Sequence, residues 1–149
     1  MNEKSVKIAA LYIATLKAIS LIHQANHWLS KGNSFYGDHL LFERIYNSAL
    51  EDLDSAAEKM VGLFGEDCLN CELQNKLLYE VLSKYQTPDM KASLMVEEDF
   101  ILFSQKAYDL FDYEGTLSLG LDDLLMATAN SRETSIYLLQ QALDIKPKE

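Results

Sequence analysis

Residues 27–58, HWLSKGNSFYGDHLLFERIYNSALEDLDSAAE, hold two of the chain's three histidines, with carboxylates at helical spacing. Imidazole nitrogen and carboxylate oxygen together suit borderline divalent metals such as Fe²⁺. From Phe35 to Phe64 the apolar residues Phe42, Ile45, Tyr46, Ala49, Leu53, Ala56, Ala57, Met60 and Phe64 recur at steps of three, four and one. At ~100° per residue they fill one sector of a helix. His39, Glu43, Asn47, Asp54 and Glu58 fall in a second sector beside it, only about 60–100° wide. The polar stripe is therefore distinct from the core stripe.

Along that helix His39 and Asp54 are about 22 Å apart at ~1.5 Å per residue, too far to share an ion. Two copies lying antiparallel across a two-fold axis would solve this, because such an interface is isologous. His39 of one chain would face Asp54 and Glu58 of its partner, and the reverse would hold at the far end. Two identical sites per dimer are expected, each shared between subunits. His27, one connection upstream, can return to the same end of the helix as His39.

The pattern H-W-x-x-x-G-x-x-F-x-x-x-H (His27, Trp28, Gly32, Phe35, His39), followed by D-x-x-x-E (Asp54, Glu58), resembles the Dps family of miniferritins. The spacings of twelve, fifteen and four residues are those of that family's ferroxidase site. H-x-x-F-E-x-x-Y (His39, Phe42, Glu43, Tyr46) is similar too, and weaker likeness runs through Asp112–Thr116 and Asp122–Leu125. The resemblance implies a hollow dodecamer that oxidises Fe²⁺, preferably with hydrogen peroxide, and stores ferric mineral. It also implies that Trp28 lies near the iron, where it would absorb stray oxidising equivalents; the simpler alternative is an interface filler. Asp123 aligns loosely with acidic residues of the family's threefold iron pores, across about five extra residues after Thr116.

Bulk properties agree with a cation-handling domain. A length of 149 residues suits one domain spanning 1–149. A net charge of −10 argues against adhesion to nucleic-acid phosphates. The chain enters its first helix almost at once, with only Lys4 and Lys7 near the N-terminus, and the C-terminal Lys146 and Lys148 stand beside Glu149. Direct DNA binding is not expected. Neither a signal-peptide layout nor an eighteen-residue uncharged apolar run is present, so a cytoplasmic protein outside the membrane is expected. With only Cys68 and Cys71 in the chain, idle thiols are favoured over a redox pair or zinc site.

The remaining chain reads as an all-α fold. Residues 3–30 form a helix that is apolar almost all round, so a neighbouring subunit is expected to cover the face left by the bundle. His23 on it is either a hydrogen-bonded interface residue or an auxiliary ligand. Gly32 and Ser34 mark a short link. The series Leu69, Leu73, Leu77, Val81 and Tyr85 predicts a shorter helix over 66–85, and Thr87-Pro88-Asp89 a helix start with Thr87 as cap. A third long helix runs to about Asp112, with Glu97-Glu98-Asp99 as a solvated face. The fourth runs from about Ser118 to Asp144. Four long helices with one short extra helix between the second and third give a ferritin-like four-helix bundle. The intrasubunit ferritin site uses Glu-x-x-His, which this chain lacks, and that leaves the intersubunit arrangement.

The expected metal set is His27 and His39 of one subunit with Asp54 and Glu58 of its partner, and Glu43 as an added ligand or water anchor. Fe²⁺ is the expected ion; Zn or Mn fits the same donors. The rival reading is a ferritin-like structural or interaction shell with an inactive or non-iron site, its carboxylates a solvated face and its histidines interface residues.

Overall fold

The computed structural model describes residues 2–147, which form helices and no strand. The long helices are α1 (Glu3–Leu29), α2 (Phe35–Phe64), α4 (Met90–Tyr113) and α5 (Leu119–Leu143). Between α2 and α4 come a 3₁₀ turn (Glu66–Leu69) and α3 (Cys71–Leu82). Lys148 and Glu149, counted above in the C-terminal charge pattern, lie outside the described residues.

Long-range hydrogen bonds fix the topology. Asn2 Nδ2 donates to Glu114 Oε2 at 2.9 Å, tying the start of α1 to the end of α4. Asn26 Nδ2 donates to the Asp89 carbonyl at 2.8 Å, tying the end of α1 to the start of α4. The two helices are therefore antiparallel. Since α2 reverses α1 through a short link, α2 and α4 run parallel, and the chain between them must traverse the bundle. One such crossover is the ferritin-like connection.

That crossover changes the expectation for α1. The second face of α1 is covered mainly by α3 and the 3₁₀ turn of its own chain rather than by a neighbour. Gln74 is buried there, its Nε2 donating to the carbonyls of Ala10 at 2.9 Å and Cys68 at 2.8 Å. The exposed large apolar residues of α1 are reduced to Leu21, Trp28 and Leu29. By length and composition α1 could cross a membrane, yet 67% of its most apolar window is buried inside the bundle.

Caps explain where boundaries differ from the sequence reading. Gly65, at φ +87°, a conformation glycine adopts freely, ends α2, and the 66–85 segment divides at Asn70, which caps α3 by accepting from Leu73 N at 3.0 Å. Tyr85 falls beyond the helix. α4 starts one residue after Asp89, whose carboxylate accepts from Ala92 N at 2.8 Å; Asp89, not Thr87, is the cap. α5 begins after Ser118, which accepts from Leu121 N at 3.1 Å. Cys68 is buried and Cys71 exposed, both as free thiols.

The core divides in two. The larger cluster centres on Tyr12, Leu16, Met60, Phe100, Phe111 and Leu121; a smaller one comprises Phe42, Ile45, Leu94 and Leu139. Along α4 and α5 the buried polar residues Glu97 and Arg132 sit between the two apolar groups. A polar layer therefore crosses the bundle.

Candidate metal centre

The short link between α1 and α2 folds the last turn of α1 back onto the first turns of α2. Ser30 N and Oγ both bond the Asn26 carbonyl, and Phe35 N donates to Gly32 O at 3.1 Å. This apposes His27 and His39, whose rings stack with centroids 3.7 Å apart at 17°. Each ring also bonds the other residue's backbone. His27 Nδ1–H donates to the His39 carbonyl at 2.8 Å, and His39 Nδ1–H donates to the His27 carbonyl at 2.8 Å. A carbonyl only accepts, so both Nδ1 atoms carry hydrogen. In the neutral rings the lone pair then sits on Nε2. Backbone-bonded Nδ1 with free Nε2 is the usual posture of metal-binding imidazoles.

Aromatic rings hold the pair from both sides. Phe35 stacks on His39 at 5.1 Å, and Tyr46 meets His27 edge-on at 5.3 Å. Glu43, one turn after His39, is half-buried; Asp54 and Glu58 are exposed further along the same helix. Among the described residues of the single chain, no group of three or more His, Cys, Asp and Glu side chains is placed to hold a metal ion. The fold thus brings His27 to His39 and leaves Asp54 and Glu58 apart from them. At ~100° per residue, the exposed Tyr36, Leu40 and Leu50 share the sector of the polar stripe. Trp28, at 68% exposure, stands next to His27 in sequence at the end of α1.

The third histidine is not at an interface. His23 is fully buried, with Nδ1 2.9 Å from Ser93 Oγ and Nε2 2.8 Å from Glu97 Oε1. Glu97 is likewise fully buried, which corrects its assignment to a solvated face; Asp99 is exposed and accepts from Tyr85. Arg132, absent from the sequence reading, closes the network. Its Nη1 donates to Glu97 Oε1 at 3.0 Å, and its Nη2 to Ser48 Oγ at 2.8 Å and Ser135 Oγ at 3.1 Å. Its Nε lies 3.2 Å from Asp52 Oδ2, an ion-pair distance poorly aligned for a hydrogen bond. Burial raises the Asp52 carboxyl above its ordinary range, against the opposing pull of Ser131 and Arg132. The signal for this layer was the spacing of small polar residues: Ser93 four before Glu97, and Ser135 three after Arg132.

No family model matches the chain. It is 24% identical over 148 residues to general stress protein 20U of Bacillus subtilis (strain 168), covering 96% of this chain and 99% of that protein. Among solved structures it is similar to Dps from Thermosynechococcus elongatus, with TM-score 0.79 and 19% identity over 99% of this chain and 92% of the other. A C-terminal deletion mutant of Mycobacterium smegmatis Dps gives TM-score 0.75 at 18% identity, over 94% and 97%. Dps from Microbacterium arborescens in a high iron form gives 0.73 at 16%, over 94% and 92%. The fold is that of the Dps proteins, a ferritin-like four-helix bundle.

Proposed function

We propose that this chain, built on the Dps fold, is an iron-oxidising and iron-storing miniferritin acting in the cytoplasm. The observation that carries the reading is the His27–His39 pair, whose Nδ1 hydrogens are committed to backbone carbonyls while both Nε2 atoms remain available. Fe²⁺ is the substrate. His27 and His39 bind it from one subunit, and Asp54 and Glu58 of an antiparallel partner α2 complete the site, with Glu43 as an added ligand or water anchor. The neutral imidazoles set position, and the carboxylates stabilise the higher charge of Fe³⁺.

The exposed face of α2 supports such pairing, because it mixes this polar stripe with Tyr36, Leu40 and Leu50 rather than being uniformly charged. Leu50 lies near the middle of α2, close to the two-fold axis that pairing His39 with Asp54 and Glu58 would require. In the oxidation each hydrogen peroxide molecule takes one electron from each of two ferrous ions and, with two protons, leaves as water. This removes both ingredients of hydroxyl-radical chemistry. Assembly of such dimers into a dodecamer would enclose the mineral. With a net charge of −10, the chain stores iron without direct DNA binding.

The test is an anaerobic Fe²⁺ titration followed by peroxide, with particle mass measured in parallel. Wild-type protein should oxidise rapidly at about two irons or fewer per subunit. The double variant His39→Ala/Asp54→Ala should lose this in a shell of unchanged mass. Wild-type oxidation no faster than buffer overturns the reading and leaves a ferritin-like scaffold.

A further inference from the structure

No feature of the single chain calls for glycine at position 62. Gly62 stands within α2 on ordinary helical backbone, and a Cβ there would meet nothing within 4 Å. Glycine inside a helix is destabilising relative to alanine, so a position that needs neither its backbone freedom nor its small size within the fold has another reason for it. The missing side chain opens a hollow of about 400 Å³, lined by Ala57, Glu58, Val61, Gly62 and Leu69. All but Glu58 are apolar, and the hollow lies on the side of α2 where Glu58 and Gly62 are exposed.

The antiparallel pairing proposed above sets a register, and the present inference rests on it. With His39 level with the partner's Asp54 and Glu58, the two-fold axis passes between Asn47 and Ser48. Residues equally far on either side of that point then stand level across the interface. Tyr36 comes level with the partner's Lys59, and because helical side chains lean toward the N-terminus of their own helix, its ring is carried one turn further, onto the partner's hollow at Gly62. Tyr36 is 71% exposed and shares the sector of the polar stripe.

The same register brings Arg44 level with the partner's Glu51. The two positions lie within about 20° of each other on one flank of the stripe, and the two-fold axis keeps that flank on the same side in both copies. Both residues are exposed, and neither makes a hydrogen bond or ion pair among the described residues. A shift of one turn either way would set Arg44 against Asn47 or Ser55 instead. The register that suits the histidines and carboxylates therefore also matches opposite charges and carries an aromatic ring to a hollow.

We infer that a second copy of this chain docks by seating Tyr36 in the hollow that Gly62 leaves on the partner's α2, with Arg44 against the partner's Glu51 fixing the register. The contact is isologous and occurs twice, once beside each shared group of histidines and carboxylates. Tyrosine suits the task, since it buries a large rigid body at an interface.

The test uses iron-free protein diluted through a sedimentation-velocity series, and reads the concentration at which single chains appear; iron oxidation plays no part in it. Gly62→Leu, which meets nothing inside its own fold, should raise that concentration at least about tenfold with helical content retained. Tyr36→Ala should do the same, and the two together should be no worse than either alone, because both act on one contact. Arg44→Glu should weaken association, and Arg44→Glu/Glu51→Arg should return it to near the wild-type value. Association unchanged in Gly62→Leu, effects at positions 36 and 62 that multiply, or a charge exchange that restores nothing would each overturn the inference while the wild-type assembly stands. A wild-type chain that is monomeric throughout the series would overturn the intersubunit site itself, and this contact with it.

Discussion

At the end of the bundle, His27 and His39 give their Nδ1 hydrogens to backbone carbonyls, and neither Nε2 has a hydrogen-bond partner among the described residues. One turn deeper on α1, His23 has both ring nitrogens within hydrogen-bond distance of Ser93 and Glu97. The residue type is the same, but a carboxylate, Glu97, contacts only the inner imidazole. The difference lies in what closes each group: open solvent and an exposed helix face at the end, a buried guanidinium inside. Availability for chemistry is decided by the second partner of each imidazole, not by the presence of histidine.

The comparison can be broken most forcefully at Arg132. Arg132→Ala leaves Glu97 buried without its counter-ion and should cost about 3–5 kcal/mol of stability, read from the urea midpoint. An effect within about 0.5 kcal/mol would mean that the layer is solvated rather than closed.

Alkaline titration tests the closed region next. Burial pushes the Tyr12 phenol up to about 12, against an ordinary value near 10. The folded state therefore holds this proton more tightly than the unfolded chain. The contribution is fully present below pH ~10 and is lost as pH rises towards 12, by at most about 3 kcal/mol. Tyr12→Phe should flatten the fall in stability over that interval; an unchanged slope would show that Tyr12 ionises freely.

Smaller effects sharpen the contrast. Ser93→Ala removes a partner from both His23 Nδ1 and Asn26 Nδ2, and should cost roughly 1–3 kcal/mol by chemical denaturation. His39→Ala removes one hydrogen bond and a half-buried ring, so about 1 kcal/mol is expected, alongside loss of rapid iron oxidation. If His39→Ala proved the more destabilising of the two, the open end would be structural rather than functional.

Much of this was legible in the sequence, and the reasons differ by element. α2 was readable to its end residues because its apolar stripe keeps the helical period from Phe42 to Phe64, with Ser34 before it and Gly65 after it. The approach of His27 to His39 followed from the short link. The division of 66–85 was hidden because its leucines keep a four-residue step straight through Asn70, and periodicity cannot see a cap. Glu97 was hidden by its acidic neighbours, which suggested solvent when only local charge was considered. Arg132 was hidden because burial of an arginine depends on carboxylates from two other helices, at separations of 35 residues from Glu97 and further from Asp52. A pairing of that kind is a property of the tertiary fold alone.

The reciprocal carbonyl bonds of His27 and His39 give the molecule a built-in spectroscopic reporter. Two ring N–H protons held against carbonyl oxygens should exchange slowly with water and resolve as a pair of imidazole nitrogen–proton resonances. A diamagnetic ion such as Zn²⁺ arriving at Nε2 would shift the unprotonated nitrogens and leave both N–H signals in place. Opening of the α1–α2 link would instead extinguish them together. Ligand capture and loosening of the hairpin are thereby distinguishable in a single nitrogen spectrum of the unmodified chain.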